Sequence, residues 1–249
     1  MMQTGTMDSY RRTATITGWL FIVTFVTSIA AQLVLYTDVL EAGYITGAGG
    51  DNRVFLGALL EMILIIANVG TAIALFSILR RQHEGLALGF VTARVIESVF
   101  IAIGLLSLLA VVTLRQDLAG TGADAGALDA VGRALVAVHD WSFLFGPGFI
   151  VGVGNGLILG YLMYRSGLVP RPMAMLGLIA GPILCLAAVA VLFDVFEAGS
   201  AWQALATAPE FVWELGLGIY LVVKGFKPSP ITTGYGTPDP VTVPDLVER

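Results

Sequence analysis

The sequence predicts an all-α, polytopic membrane protein with six transmembrane helices in one bundle and both termini in the cytoplasm. Three observations predict it. Hydrophobic residues make up 57% of the chain and charged ones only 12%, where a soluble domain carries about 25% charged residues. The mean hydropathy over the whole chain is +0.86, which leaves little room for a soluble domain. The apolar residues also gather into six long runs, each near or above the roughly 20 residues that cross ~30 Å of hydrocarbon.

The runs cover residues 15–36, 54–79, 86–114, 134–164, 172–193 and 209–226. The third and fourth exceed the minimum length, so tilt, a kink or extension beyond the membrane is expected there. The first follows Arg11-Arg12 and contains Ser28-Ile29-Ala30, a loose likeness to a cleavable signal peptide. It continues apolar to Tyr36, as a span does. Residues 199–206 read as an interfacial approach, with Trp202 at headgroup level. Residues 1–12 are expected to be a flexible leader, 13–227 the membrane domain and 228–249 a disordered, proline-rich tail.

Lys and Arg in the short loops set the orientation. One side carries Arg11, Arg12, Arg80, Arg81, Arg165, Arg171, Lys224 and Lys227, the other Arg53, Arg115 and Arg133; eight against three puts the first side in the cytoplasm. In a bacterium the membrane would be the cytoplasmic one, since outer-membrane proteins are barrels.

Composition also excludes function classes. A net charge of −5 with no basic stripe gives no nucleic-acid footprint. The single cysteine, Cys185, forms no intrachain disulfide, and two histidines make no three-histidine metal site. No cofactor or metal is expected. Oligomeric state is not legible.

Several stretches resemble a family of bacterial membrane proteins catalogued as domain of unknown function 4386. The second run carries GALLEMILIIANVGTAIALFSILRR and the third ALGFVTARVIESVFIAIG. The fourth carries HDWSFLFGPGF and GNGLILGYLMYRSGLVPR, followed by LGLIAGP; the sixth carries WELGLGIYLVVKGF. The resemblance spans roughly residues 9–228 and implies a multi-span membrane fold; it implies no activity. The acidic loop at 115–132 and the tail lie outside these motifs.

Ionisable side chains inside spans cost about 2.5–3.5 kcal/mol each at mid-helix and mark function by default. Here they are Glu61, Arg94, Glu97, His139, Asp140 and Glu214, with Asn68 and Asn155 as neutral additions. Arg94 and Glu97, three apart, share a helix face and pair. At ~1.5 Å per residue, Glu61, His139, Asp140 and Glu214 fall in the outer half and Glu97 near the midplane. The expectation is one acidic chamber gathering these six residues. Glu210 is set aside, because Thr207-Ala208-Pro209-Glu210 fits a capping box at a helix start. His83, in the RRQHEG turn, is read as solvated. Gly148, Gly152, Gly156 and Gly160 form a small-residue stripe for helix packing, as do Gly177 and Gly181. Pro147 is expected to kink the fourth helix.

Three functions compete: a small transporter or proton- or cation-coupled permeation protein taking a proton, cation or small molecule; an intramembrane enzyme using His139 and Asp140 as acid and base; and a non-catalytic sensor or assembly subunit. The absence of a GxSxG nucleophile motif leans against an enzyme.

Overall fold

The computed structural model describes residues 2–41, 43–47, 50–121 and 124–233. Every regular element among them is a helix, and five helices are long and apolar enough to cross a membrane. The first is α1, Met2–Ala30, prolonged by a π-helical turn at Ala31–Leu35. It takes in most of the expected flexible leader. A short α2, Thr37–Leu40, follows.

The longest helix, α3 (Asp51–Thr121), breaks at His83, whose backbone is extended (φ −159°, ψ 99°). In a continuous helix Asn68 and Arg94 would stand about 39 Å apart. Instead Arg94 Nη2 donates to Asn68 Oδ1 at 2.5 Å, so the two limbs of α3 lie side by side. His83 is not merely solvated, as the sequence reading had it. Its Nδ1 accepts from the Leu86 N–H at 3.1 Å and caps the second limb in place of the usual Ser, Thr, Asp or Asn.

Next, α4 (Ala125–Phe143) starts at Asp124, whose side chain accepts from the Gly126 N–H. It passes through π-helical stretches at Leu144–Ile150 and Gly152–Leu159 into α5, Gly160–Ser166. Pro147 therefore widens the winding rather than breaking the helix, and Gly167 (φ 67°) ends it in the left-handed conformation that glycine adopts freely. The sixth helix, α6 (Arg171–Leu192), opens with proline in its first turn, where no intrahelical N–H is needed. The last long one, α7 (Ala201–Val223), is capped by Ser200 and absorbs the expected interfacial approach at 199–206. A single turn, α8 (Pro230–Thr233), lies in the expected disordered tail; the rest of that tail, 234–249, lies outside the described residues.

One end of the bundle is tied around His83. There Arg11 donates to the carbonyls of Val222 and Val223, the unsatisfied C-terminus of α7. Ser229 Oγ donates to Ser166 O at 2.5 Å, and Lys227 N to Leu168 O at 2.8 Å. The opposite end is tied by Asp51, which accepts from Tyr44 Oη at 2.8 Å, from Gln116 Nε2 at 3.1 Å and from Arg115. Burial, followed by the bond to Asp51, pushes the Tyr44 phenol up to about 12. Asp51→Ala removes the acceptor of three donors. It is expected to cost about 1–2 kcal/mol in unfolding measured in detergent and to lower the Tyr44 ionisation midpoint in an ultraviolet titration, because the carboxylate favours the neutral phenol. An unmoved Tyr44 midpoint would show that the contact does not persist in solution.

Large apolar side chains cover the outside: Leu33 and Ile66 are each 70% exposed, Phe193 72% and Val195 73%. An apolar belt of this extent is what lipid requires. The chain is a membrane protein. Inside, one apolar core lies toward the His83 end (Phe21, Leu75, Phe90, Leu159, Trp213) and another toward the Asp51 end (Ala31, Tyr36, Val54, Leu108). On α1 and both limbs of α3 several buried polar residues fall between the two: Thr24 and Thr27, Glu61 and Asn68, Arg94 and Glu97.

Candidate functional site

The six sequence-predicted residues do not share one chamber. Their contacts divide them into two networks. On the first limb of α3, Glu61 and Asn68 belong to different networks, about 10 Å apart along the axis.

The network nearer the Asp51 end holds Glu61, His139 and Asp140. Glu61 is 2% exposed and His139 3%. Tyr36 Oη donates to Glu61 Oε2 at 3.0 Å, and Gln32 Nε2 donates to Glu61 Oε1 at 2.8 Å. The same amide nitrogen lies 3.3 Å from His139 Nε2. His139 Nδ1 lies 3.0 Å from Asp140 Oδ1. His139 thus has an amide donor at Nε2 and a carboxylate at Nδ1. His139 stacks on Phe143 and meets Tyr36 edge-on. The Asp140 side chain is 60% exposed and lines a cleft of about 200 Å³ with Glu41, Tyr44, Asp129, Arg133 and Val136. A chain of polar contacts thus runs from this cleft inward to Glu61.

The second network sits mid-bundle and is built around Arg94, which is 2% exposed. Its Nη1 donates to Glu97 Oε2 at 2.8 Å and its Nη2 to Asn68 Oδ1 at 2.5 Å. Asn68 Nδ2 closes the ring by donating to Glu97 Oε1 at 2.8 Å. Phe21 of α1 lies under the guanidinium at 5.7 Å. Glu214 Oε1 approaches Arg94 Nη1 at 3.8 Å and accepts from Asn155 Nδ2. The Asn155 carbonyl in turn takes the Trp213 Nε1 hydrogen at 3.1 Å.

Glu214 is mid-bundle rather than in the outer half because α7 begins at Ala201, well before the expected start. The same early start corrects the reading of Glu210. It is no capping residue: Ser200 caps the helix, Thr207 Oγ1 donates to Gln203 O, and Glu210 lies a turn before Glu214, 2% exposed. Neither of its carboxylate oxygens has a hydrogen-bond partner. Its charge neighbours are Glu214, Arg94 and Glu97. The network therefore sets three carboxylates against one guanidinium.

Glycines make this crowding possible. A Cβ on Gly152 would stand 2.6 Å from Gly181 O and from Cys185 Sγ; one on Gly156 would run into the Gly181 backbone and stand 3.2 Å from Glu210 Oε2. Gly160 meets Gly177 and Leu178 in the same way. The stripe is the crossing of the π-wound helix with α6, an intramolecular seam. Gly148 is looser, with its nearest atom at 3.7 Å. Cys185 donates to Phe149 O at 3.4 Å and packs there.

Sequence reasoning missed Gln32, Tyr36 and Glu210. The signal for Gln32 was available, as a lone amide in an apolar run. Tyr36 was read only as the end of the first apolar run, and Glu210 was hidden by a capping pattern that also occurs within helices. Among the described residues no group of three or more His, Cys, Asp or Glu is arranged to hold a metal ion.

Comparison with known proteins adds one finding. No curated protein and no solved structure matches the chain. A family model described as a domain of unknown function (DUF4386) matches residues 16–225. That match covers most of the chain, including both buried networks, and on it the protein belongs to the DUF4386 family.

Proposed function

We propose that the protein is a small proton- or cation-coupled permeation protein whose coupling centre is the mid-bundle network of Arg94, Glu97, Glu214, Asn68 and Asn155, joined by Glu210. In this reading the chain crosses the cytoplasmic membrane six times, the two limbs of α3 counting separately. Both termini and the His83 turn face the cytoplasm, as the Lys and Arg balance requires.

One observation carries the reading: three carboxylates, Glu97 and Glu210 buried and Glu214 with its side chain 16% exposed, face a single buried guanidinium. In a low dielectric, like-charge repulsion and desolvation keep such a set from ionising fully. Its charge must be balanced by a proton or cation, which is the chemistry a coupling site uses. Depth agrees. Arg94 is about 16 Å from the His83 end and Glu214 about 14 Å from the end of α7, near the middle of a ~30 Å core. The Asp140–His139–Gln32–Glu61 chain gives titratable groups at the opposite cleft a route to influence the interior.

Purified protein in liposomes tests this. An imposed pH gradient, read by an entrapped dye, and alkali-cation uptake should both be measured. Wild type is expected to carry a flux that Glu97→Gln reduces at least about tenfold, the equivalent of ~1.4 kcal/mol, while circular dichroism stays unchanged. Absence of any proton, alkali-cation or small-solute flux would remove the reading.

A further inference from the structure

We propose that Glu210 is the proton-binding group of the mid-bundle network, held as a neutral carboxylic acid that donates to Asn155 Oδ1. This deepens the permeation reading and, where it names the coupling ion, rests on it; the site itself is argued from geometry.

Four buried side-chain atoms in this layer lack partners: both oxygens of Glu210, Oδ1 of Asn155 and Nε of Arg94. The two carboxylates beside Glu210 each have a partner. Glu97 has Arg94 and Asn68, and Glu214 has Asn155 Nδ2 with Arg94 nearby. Glu210 alone has nothing, at 2% exposure. A bare carboxylate in such a place loses its hydration and gains no bond in return. A neutral carboxyl needs only one acceptor for its hydrogen.

The acceptor we assign lies on the adjoining helix. Asn155 donates one amide hydrogen to Glu214 and its backbone carbonyl accepts from Trp213, while its Oδ1 lacks a donor. Its neighbour Gly156 is the residue against which Glu210 Oε2 rests. The two unmet needs are complementary, an acid hydrogen and an amide oxygen on adjoining helices. When the proton leaves, the carboxylate needs a donor, and the buried donor atom in this layer without any partner is Arg94 Nε. In this proposal Asn155 Oδ1 serves the protonated form of Glu210 and Arg94 Nε the ionised form, and the exchange moves a proton only. A hard metal cation is served less well. Ca²⁺ takes six to eight oxygens and Mg²⁺ a full octahedron, while the uncommitted side-chain oxygens here are two from Glu210, one from Asn155 and the remaining one of Glu214.

Infrared spectroscopy of the full-length protein in lipid, titrated with pH, tests the assignment. The expected result is a protonated-carboxyl C=O band at neutral pH that is lost in Glu210→Gln. In Asn155→Ala the band should move to higher frequency as its hydrogen bond goes. It should not change when Na⁺ or K⁺ replaces choline at fixed pH. A wild type without the band, a band that survives Glu210→Gln unchanged, or one that Na⁺ or K⁺ abolishes would overturn the proposal. The second variant keeps the test open if Glu210→Gln fails to fold. A band with the expected behaviour in a protein that carries no flux would sustain the proton site and remove the permeation reading.

Discussion

Arg94→Leu alone is expected to destabilise the protein by about 3–5 kcal/mol, and Arg94→Leu with Glu97→Leu by clearly less than the sum of the two single changes. Arg94 bonds Glu97 and Asn68 and faces Glu214, with Phe21 beneath it. Removing the guanidinium strands Glu97 with only the Asn68 amide for compensation and leaves Asn68 Oδ1 without its donor. Removing both members takes the stranded charge away and replaces it with apolar volume. The penalty of the single change is thus mostly the cost of an uncompensated buried carboxylate. Equilibrium unfolding in mixed micelles, followed by circular dichroism, gives the cycle. Strict additivity would mean that Arg94 and Glu97 do not act as a pair.

Gly156→Leu is expected to be the most disruptive change at a residue without a polar side chain. The new Cβ would overlap Gly181 Cα and N, and the branch beyond it would press on Glu210. Overpacking a core costs about 1–3 kcal/mol when side chains move aside. Here the obstacle is backbone, so the cost should lie at or above about 3 kcal/mol, read as loss of folded protein after extraction or as a collapse in thermal midpoint. The control is Gly216→Ala on α7, where an added Cβ meets nothing within 4 Å; helix propensity there should add roughly 0.5–1 kcal/mol of stability. If Gly156→Leu were tolerated as well as Gly216→Ala, α6 and the π-wound helix would not cross this closely. The same variant bears on the charged centre, because the crossing brings α7's Glu210 against the helix that carries Asn155.

The reach of sequence reasoning differs by element. The apolar runs announced the long helices because lipid solvation is a sum over local side chains and needs no knowledge of neighbours. The Arg94–Glu97 pair was legible because both lie on one helix, where a spacing of three dictates a shared face. Glu210 was misread because Thr-x-x-Glu has the same letters whether a helix begins there or has already run for two turns; the Ser200 cap, nine residues upstream of Pro209, decides which. The fourth helix was expected to kink at Pro147; what the sequence did not announce is that the winding turns π-helical there and again over Gly152–Leu159.

Local chemistry was therefore enough to establish an all-helical membrane chain and to name the costly side chains within it. It was not enough to say which of them meet. Asn68 reaches Arg94 across 26 positions and Asn155 reaches Glu214 across 59, and the splitting of six residues into two networks follows from how each helix is rotated about its axis. That rotation is set by backbone crossings such as Gly18 on Gly218 and Gly156 on Gly181, contacts between segments far apart in the chain, which no local run of residues encodes.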